Sequence, residues 1–160
     1  MNSALEEQLA QTAAKTLEDL TFFFATPERW EATDISGDDY ILGAAFNGDF
    51  EGYLVFICPP LAGREMTANM LGMDDAESVS SDQVQDALKE VINIICGNIL
   101  PAVAGAKAMF NISPPEILDS GQEPEFGRNA PPVGRAKLDL EGEPGYLFLF
   151  VDDPEAMNLS

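Results

Sequence analysis

Between residues 84 and 103 the chain is almost continuously apolar, with Val84, Leu88, Val91, Ile92, Ile94, Ile95, Ile99, Leu100 and Val103. Threaded through these are Asp86, Glu90, Asn93 and Gly97, at intervals of four, three and four, the spacing that places residues on one face of an α-helix. Such a helix should be packed on nearly every side except that stripe. Ser81 or Asp82 is expected to cap it. Pro101 should bend or end it near residue 104, because proline removes a backbone hydrogen bond and clashes with the preceding turn. At the N-terminus, Ser3-Ala-Leu-Glu6 has the form of a capping box. Leu5, Leu9, Ala13, Leu17, Leu20 and Phe24 then recur every three or four residues, which predicts an amphipathic helix to about residue 24, closed by Pro27.

Shorter apolar runs predict strands over 40–46 and 50–58, joined at Asn47-Gly48, a strong hairpin signal. The second is apolar on both faces and belongs in the middle of a sheet. Pro59-Pro60 ends it, and 61–71 suits a short helix carrying Met66, Met70 and Leu71. Residues 30–35 offer a further short strand, 72–82 a polar connector, and 106–112 a strand broken by Ser113-Pro114-Pro115. Residues 116–133, rich in proline and glycine, read as a surface loop. Segments 135–140 and 145–152 form a final hairpin around residues 141–145, and the tail after Pro154 is expected to fray. The order is helix, two or three strands, two helices, then three strands, with no repeat of 20–50 residues. This pattern implies one α/β (α+β) domain over residues 1–160, a mostly antiparallel sheet with helices packed on one face.

An apolar fraction of 46% in 160 residues supports a real core rather than a disordered chain. No apolar run approaches the roughly 20 residues expected of a membrane span, and Met1-Asn-Ser-Ala-Leu-Glu-Glu lacks the form of a signal peptide, so a cytoplasmic location is expected. Eight basic against 28 acidic residues give a net charge of −20. That balance argues against nucleic acid and against an anionic membrane as partners. The chain has no histidine, which removes Ser-His and Cys-His nucleophile systems and histidine metal sites. Cys58 and Cys96 lie inside apolar segments and read as buried small hydrophobes. Asp34, Asp38, Asp39 and Asp49 lack the spacing of an EF-hand, and residues 121–134 match neither a Walker nor a Rossmann pattern. Any catalysis must come from carboxylates, amides, hydroxyls or the backbone.

Glu90-x-x-Asn93-x-x-x-Gly97-Asn98 within an apolar helix resembles the E-x-x-N signature of the CheC/CheX/FliY chemotaxis phosphatases. Phe110-Asn111-Ile112-Ser113-Pro114-Pro115 is similar to the segment that follows this helix in CheX-type proteins. A single motif helix favours CheX over CheC, whose members typically carry two. The resemblance implies hydrolysis of the aspartyl phosphate of a CheY-like response regulator. Asn93 would position the attacking water and Glu90 would dock on the partner's lysine. It implies no cofactor in this chain, since the magnesium belongs to the regulator, and no metal site. It also implies a homodimer formed through the sheet.

Asp86 and Lys89 flank the stripe; they are expected to be solvated, with a further part in partner docking. Gly97 costs about 1 kcal/mol against alanine inside a helix, so either close approach of a partner or tight helix–sheet packing should require it. Asn93 could instead bond a neighbouring loop. Asn98 points about 100° from Gly97 and is expected to cap a backbone group inside the fold. A non-catalytic CheX-like module that binds a regulator or another signalling protein is the alternative reading, and a dimeric scaffold with an exposed sheet edge is a third.

Overall fold

The computed structural model describes residues 3–31, 33–118 and 131–157. Its elements follow the order α1 (Ser3–Thr21), β1 (Ala25–Glu28), β2 (Tyr40–Gly48), β3 (Gly52–Cys58), α2 (Pro60–Leu71), α3 (Ser81–Ala104), β4 (Phe110–Ile112), β5 (Glu116–Leu118), β6 (Gly134–Leu140) and β7 (Glu143–Val151). A strand apolar at successive positions needs cover on both faces. β3 is such a strand, buried at every residue, and it lies inside an antiparallel sheet ordered β1-β6-β7-β3-β2-β4, with β5 also pairing with β2.

Period-two alternation sends the two halves of β3 to different cores. Leu54, Phe56 and Cys58 join Leu42, Ala44, Leu138 and Leu147 beneath the helices, where Leu9, Leu17, Met66, Leu88 and Ile95 close the main core. Tyr53, Val55 and Ile57 join Tyr146 on the opposite face, with Trp30, Phe148 and Phe150 around them. Trp30 meets Tyr146 and Phe148 edge-on at centroid distances of 5.8 and 5.6 Å, and the Arg135 guanidinium lies 4.3 Å above its ring. The fold class is therefore the expected one, an antiparallel sheet with its helices on one face.

Several boundaries differ from expectation for local reasons. α1 stops at Thr21, because Phe22 takes a left-handed conformation (φ 58°). Pro27 lies in β1, an edge strand where a missing N–H is tolerated, rather than closing the helix. Residues 30–35 form no strand among those described. Asn47 and Gly48 do not make a two-residue turn: they extend β2 opposite Asn111 and Phe110, and the hairpin closes later, between Phe46 and Gly52. A Cβ on Gly48 would overlap the Met109 carbonyl oxygen, so glycine here admits β4 rather than turning the chain.

Residues 116–118, expected as loop, form β5 against Ile41–Gly43. The Tyr53 hydroxyl, lying across side-chain-free Gly43, donates to Glu116 Oε1 at 2.7 Å and secures that edge. Burial and the Glu116 carboxylate together push the Tyr53 phenol well above its usual range. The expected strand over 106–112 is confined to Phe110–Ile112. The last hairpin is tighter than expected: Leu140 pairs with Glu143 across Glu141 and Gly142, both at positive φ, and Pro144 and Gly145 belong to β7. Residues Pro154–Ala156 form a single 3-10 turn and Met157 is buried in the main core, while residues 158–160 of the tail expected to fray lie outside the described residues. Most of the proline- and glycine-rich segment 116–133 lies outside the described residues.

Candidate functional site on helix α3

Three local features hold α3 in place. Its cap is Ser80, one residue before the expected position: Ser80 Oγ accepts from the Gln83 N–H at 3.1 Å, and Gln83 Oε1 accepts from the Ser80 N–H at 2.8 Å, a reciprocal capping box. Pro101 sits in the last turns without ending the helix, and Gly105 closes it by donating to the Pro101 carbonyl at 3.0 Å. Val84, Leu88, Val91, Ile92, Ile95, Ile99 and Val103 are buried against α1, α2 and the sheet. Contrary to the sequence expectation, this 24-residue helix is long and apolar enough to cross a membrane by length and composition. Those apolar residues instead form the centre of the main core.

The stripe emerges on the outer face as expected. Asp86, Glu90 and Gly97 are exposed, while Lys89 and Asn93 are half-buried. Among the described residues, the side chains of Glu90 and Asn93 have neither a hydrogen bond nor an ion pair. Asn93 therefore has no bond to a neighbouring described loop. A half-buried amide unable to bond its own fold keeps its full capacity for a ligand or for water.

Gly97 is not required by packing. A Cβ there would meet only Ile112 Cδ1, at 3.9 Å, an ordinary contact. Of the two readings of this glycine, tight helix–sheet packing is thus not supported. Asn98, the next residue, has the structural role expected of it but with a different partner. Its Nδ2 donates at 3.0 Å to the Thr16 hydroxyl of α1, which in turn donates to the Thr12 carbonyl at 2.7 Å.

Ile94 was missed as a surface residue. Grouped by composition with its packed neighbours, it is half-buried and lies outside the main cluster. Its position four residues after Glu90 and three before Gly97 would have placed it on the polar stripe. Beyond Gly97, the β4 segment borders the C-terminal half of the helix through Ile112. Ser113 ends β4 by donating from its backbone N–H to the Ala45 carbonyl at 2.8 Å, and the two prolines redirect the chain into β5. Cys96, on the buried side of α3, has its thiol pushed up to about 12 by desolvation, and Cys58 is raised further. Both are poor nucleophiles at neutral pH. Among the described residues no cluster of three or more metal-ligating side chains occurs.

An antiparallel sheet with helices on one face, one of which presents a carboxylate, an amide and a glycine in a single line, defines a class of α+β protein with a helix-borne polar site. The family model for chemotaxis phosphatase CheX matches residues 42–127, more than half of the chain and the whole of that site. The chain belongs to the CheX family.

Among solved structures, the chain is similar to a CheX chemotaxis protein from Desulfovibrio desulfuricans, with 13% identity, a TM-score of 0.73, and coverage of 92% of this chain and 99% of that one. It is also similar to a chain of the CheX–CheY–BeF3–Mg2+ complex from Borrelia burgdorferi, with 18% identity, a TM-score of 0.69, and coverage of 92% and 97%. FliY from Thermotoga maritima superposes with a TM-score of 0.58 at 17% identity, over 96% of this chain and 92% of that one. Comparison with curated proteins finds no match.

Proposed function

We propose that this chain hydrolyses the aspartyl phosphate of a CheY-like response regulator, using α3 as the inserted element. The observation that carries the reading is Asn93: a half-buried helical amide with no intramolecular partner among the described residues, one turn from exposed Glu90. Membership in a family described as chemotaxis phosphatases supports it, as does a solved complex of a similar CheX with CheY.

An acyl phosphate is already activated as a mixed anhydride, so catalysis consists mainly of placing water in line and excluding competing geometries. The Asn93 amide oxygen accepts a hydrogen bond from that water without placing a negative charge beside the phosphoryl oxygens. The water oxygen bonds to phosphorus as the phosphorus–carboxylate bond breaks. The regulator recovers its aspartate, and phosphate leaves carrying the water's oxygen. Glu90 engages the regulator's lysine through a charge-assisted hydrogen bond, fixing the register of docking. Side-chain-free Gly97 and half-buried Ile94 admit and contact the partner's backbone, and Asp86 and Lys89 border the docked surface. The magnesium that neutralises the phosphoryl group is the regulator's, and the chain acts as a homodimer.

Phosphate release from a phosphorylated regulator tests this reading. Glu90→Ala should weaken regulator binding more than it slows turnover of the bound complex. Normal affinity with lost turnover would transfer the chemical step to Glu90. Tight binding by the wild-type protein with no acceleration of phosphate release would make it a non-catalytic regulator-binding module.

A further inference from the structure

The link between α1 and β1 is Phe22-Phe23-Phe24, and it breaks two ordinary preferences at once. Phe22 follows the last helical residue at φ 58°, where glycine or asparagine relieves the strain that a bulky L-residue suffers. Phe22 and Phe24 are 73% and 72% exposed, whereas Phe23 between them is buried. Neither feature improves the fold, and the turn is nevertheless held firmly. The Phe24 N–H donates to Glu141 Oε2 at 3.0 Å, and Asn69 Nδ2 donates to the Thr21 carbonyl at 3.0 Å. The two rings are therefore displayed on a fixed backbone.

They border an open groove of about 490 Å³ floored by Ala68 and Met73 and edged by Glu65, Asp74 and Glu141. Among the described residues none of these three carboxylates is paired with a lysine or arginine. Leu71, at the adjoining end of α2, is also exposed.

We infer that this groove is a second docking site, for a protein segment that presents an apolar side chain flanked by lysine or arginine. The rings and Met73 receive the apolar residue, and the Glu65 and Asp74 carboxylates receive the flanking cations. Rigid aromatic anchors within a charged rim are the composition of an interface hot spot. The acidic rim of this groove, on a chain of net charge −20, favours a basic partner there over an anionic membrane or the same acidic groove of a second copy. The site uses none of the α3 residues, so it stands apart from the phosphatase reading.

The test measures binding of a short fluorescent peptide carrying leucines between lysines and arginines. A matched peptide with the same leucines but glutamates in place of the cations serves as control. The basic peptide should bind at least about tenfold more tightly than the acidic one, and added salt should weaken its binding. Phe22→Gly and Phe24→Ser should each weaken it about tenfold or more, with Phe22→Gly raising rather than lowering the melting temperature. Glu65→Lys with Asp74→Lys should abolish the preference for the basic peptide while the far-ultraviolet circular dichroism is kept. Equal binding of the two peptides, or wild-type affinity in Phe22→Gly and Phe24→Ser, would overturn the proposal. So would binding of the wild type to phosphatidylserine vesicles that these variants lose. Sedimentation showing a dimer that dissociates in the same variants would assign the rings to self-association instead, and equally refute the proposal.

Discussion

Two asparagines five residues apart on α3 are put to opposite uses. Asn98, though exposed, commits its amide to its own fold, donating to Thr16 and tying α3 to α1. Asn93 has no such partner among the described residues. Helical phase alone separated them in the sequence, since Asn98 lies off the line of Glu90, Asn93 and Gly97. Its bonding partner was not legible, because a hydroxyl on a helix more than 80 positions away leaves no local signal. Gly97 makes a sharper case. Its open surroundings mean that Gly97→Ala should stabilise the fold by about 1 kcal/mol, read as a higher melting temperature, while raising KM for the phosphorylated regulator. Unchanged KM would remove the docking role of this glycine, and a loss of stability would contradict the open space around it. Ile94 escaped the sequence reading because its apolar side chain matched its neighbours, although its helical phase with Glu90 and Gly97 marked it.

At the level of elements, α3 was the most legible part of the chain, because twenty residues of consistent periodicity outvote any single position. Its cap was displaced by one residue: Ser80, Ser81 and Asp82 are all competent N-caps, and Ser80 is the one that closes a reciprocal box, with Gln83. Ser80→Ala should cost about 1 kcal/mol of stability, measured by urea unfolding, without changing turnover per folded molecule. Short strands were harder to read. β5 has only three residues and owes its existence to pairing with β2 and to the Tyr53–Glu116 hydrogen bond, both non-local. Asn47-Gly48 carries a strong turn signal, but β4 claims those residues for pairing and moves the turn onward. The end of α1 was unreadable for a different reason: nothing in Phe22-Phe23-Phe24 announces a left-handed phenylalanine.

For the whole molecule, the apolar strand runs, the hairpin signals and the order of elements were enough to imply an antiparallel sheet with helices on one face. The strand order was not, because it depends on which edges meet after the helices dock. The acidity of the chain has a global consequence. Raising salt from about 0.01 M to about 0.1 M shortens the screening length from about 30 Å to about 10 Å, so self-repulsion at −20 should fall and the melting temperature rise. A melting temperature that falls over that range would mean that attractive charge pairs, few among the described residues, outweigh the net charge. The central claim concerns a complex rather than the isolated chain: a packed helix offers one unbonded amide to a regulator's phospho-aspartate. Its most direct test is release of inorganic phosphate from a phosphorylated CheY-like regulator, with wild type and Asn93→Ala compared at matched, saturating concentrations. The account predicts that Asn93→Ala folds and binds normally but loses about 100-fold or more of the acceleration; turnover equal to wild type would contradict it.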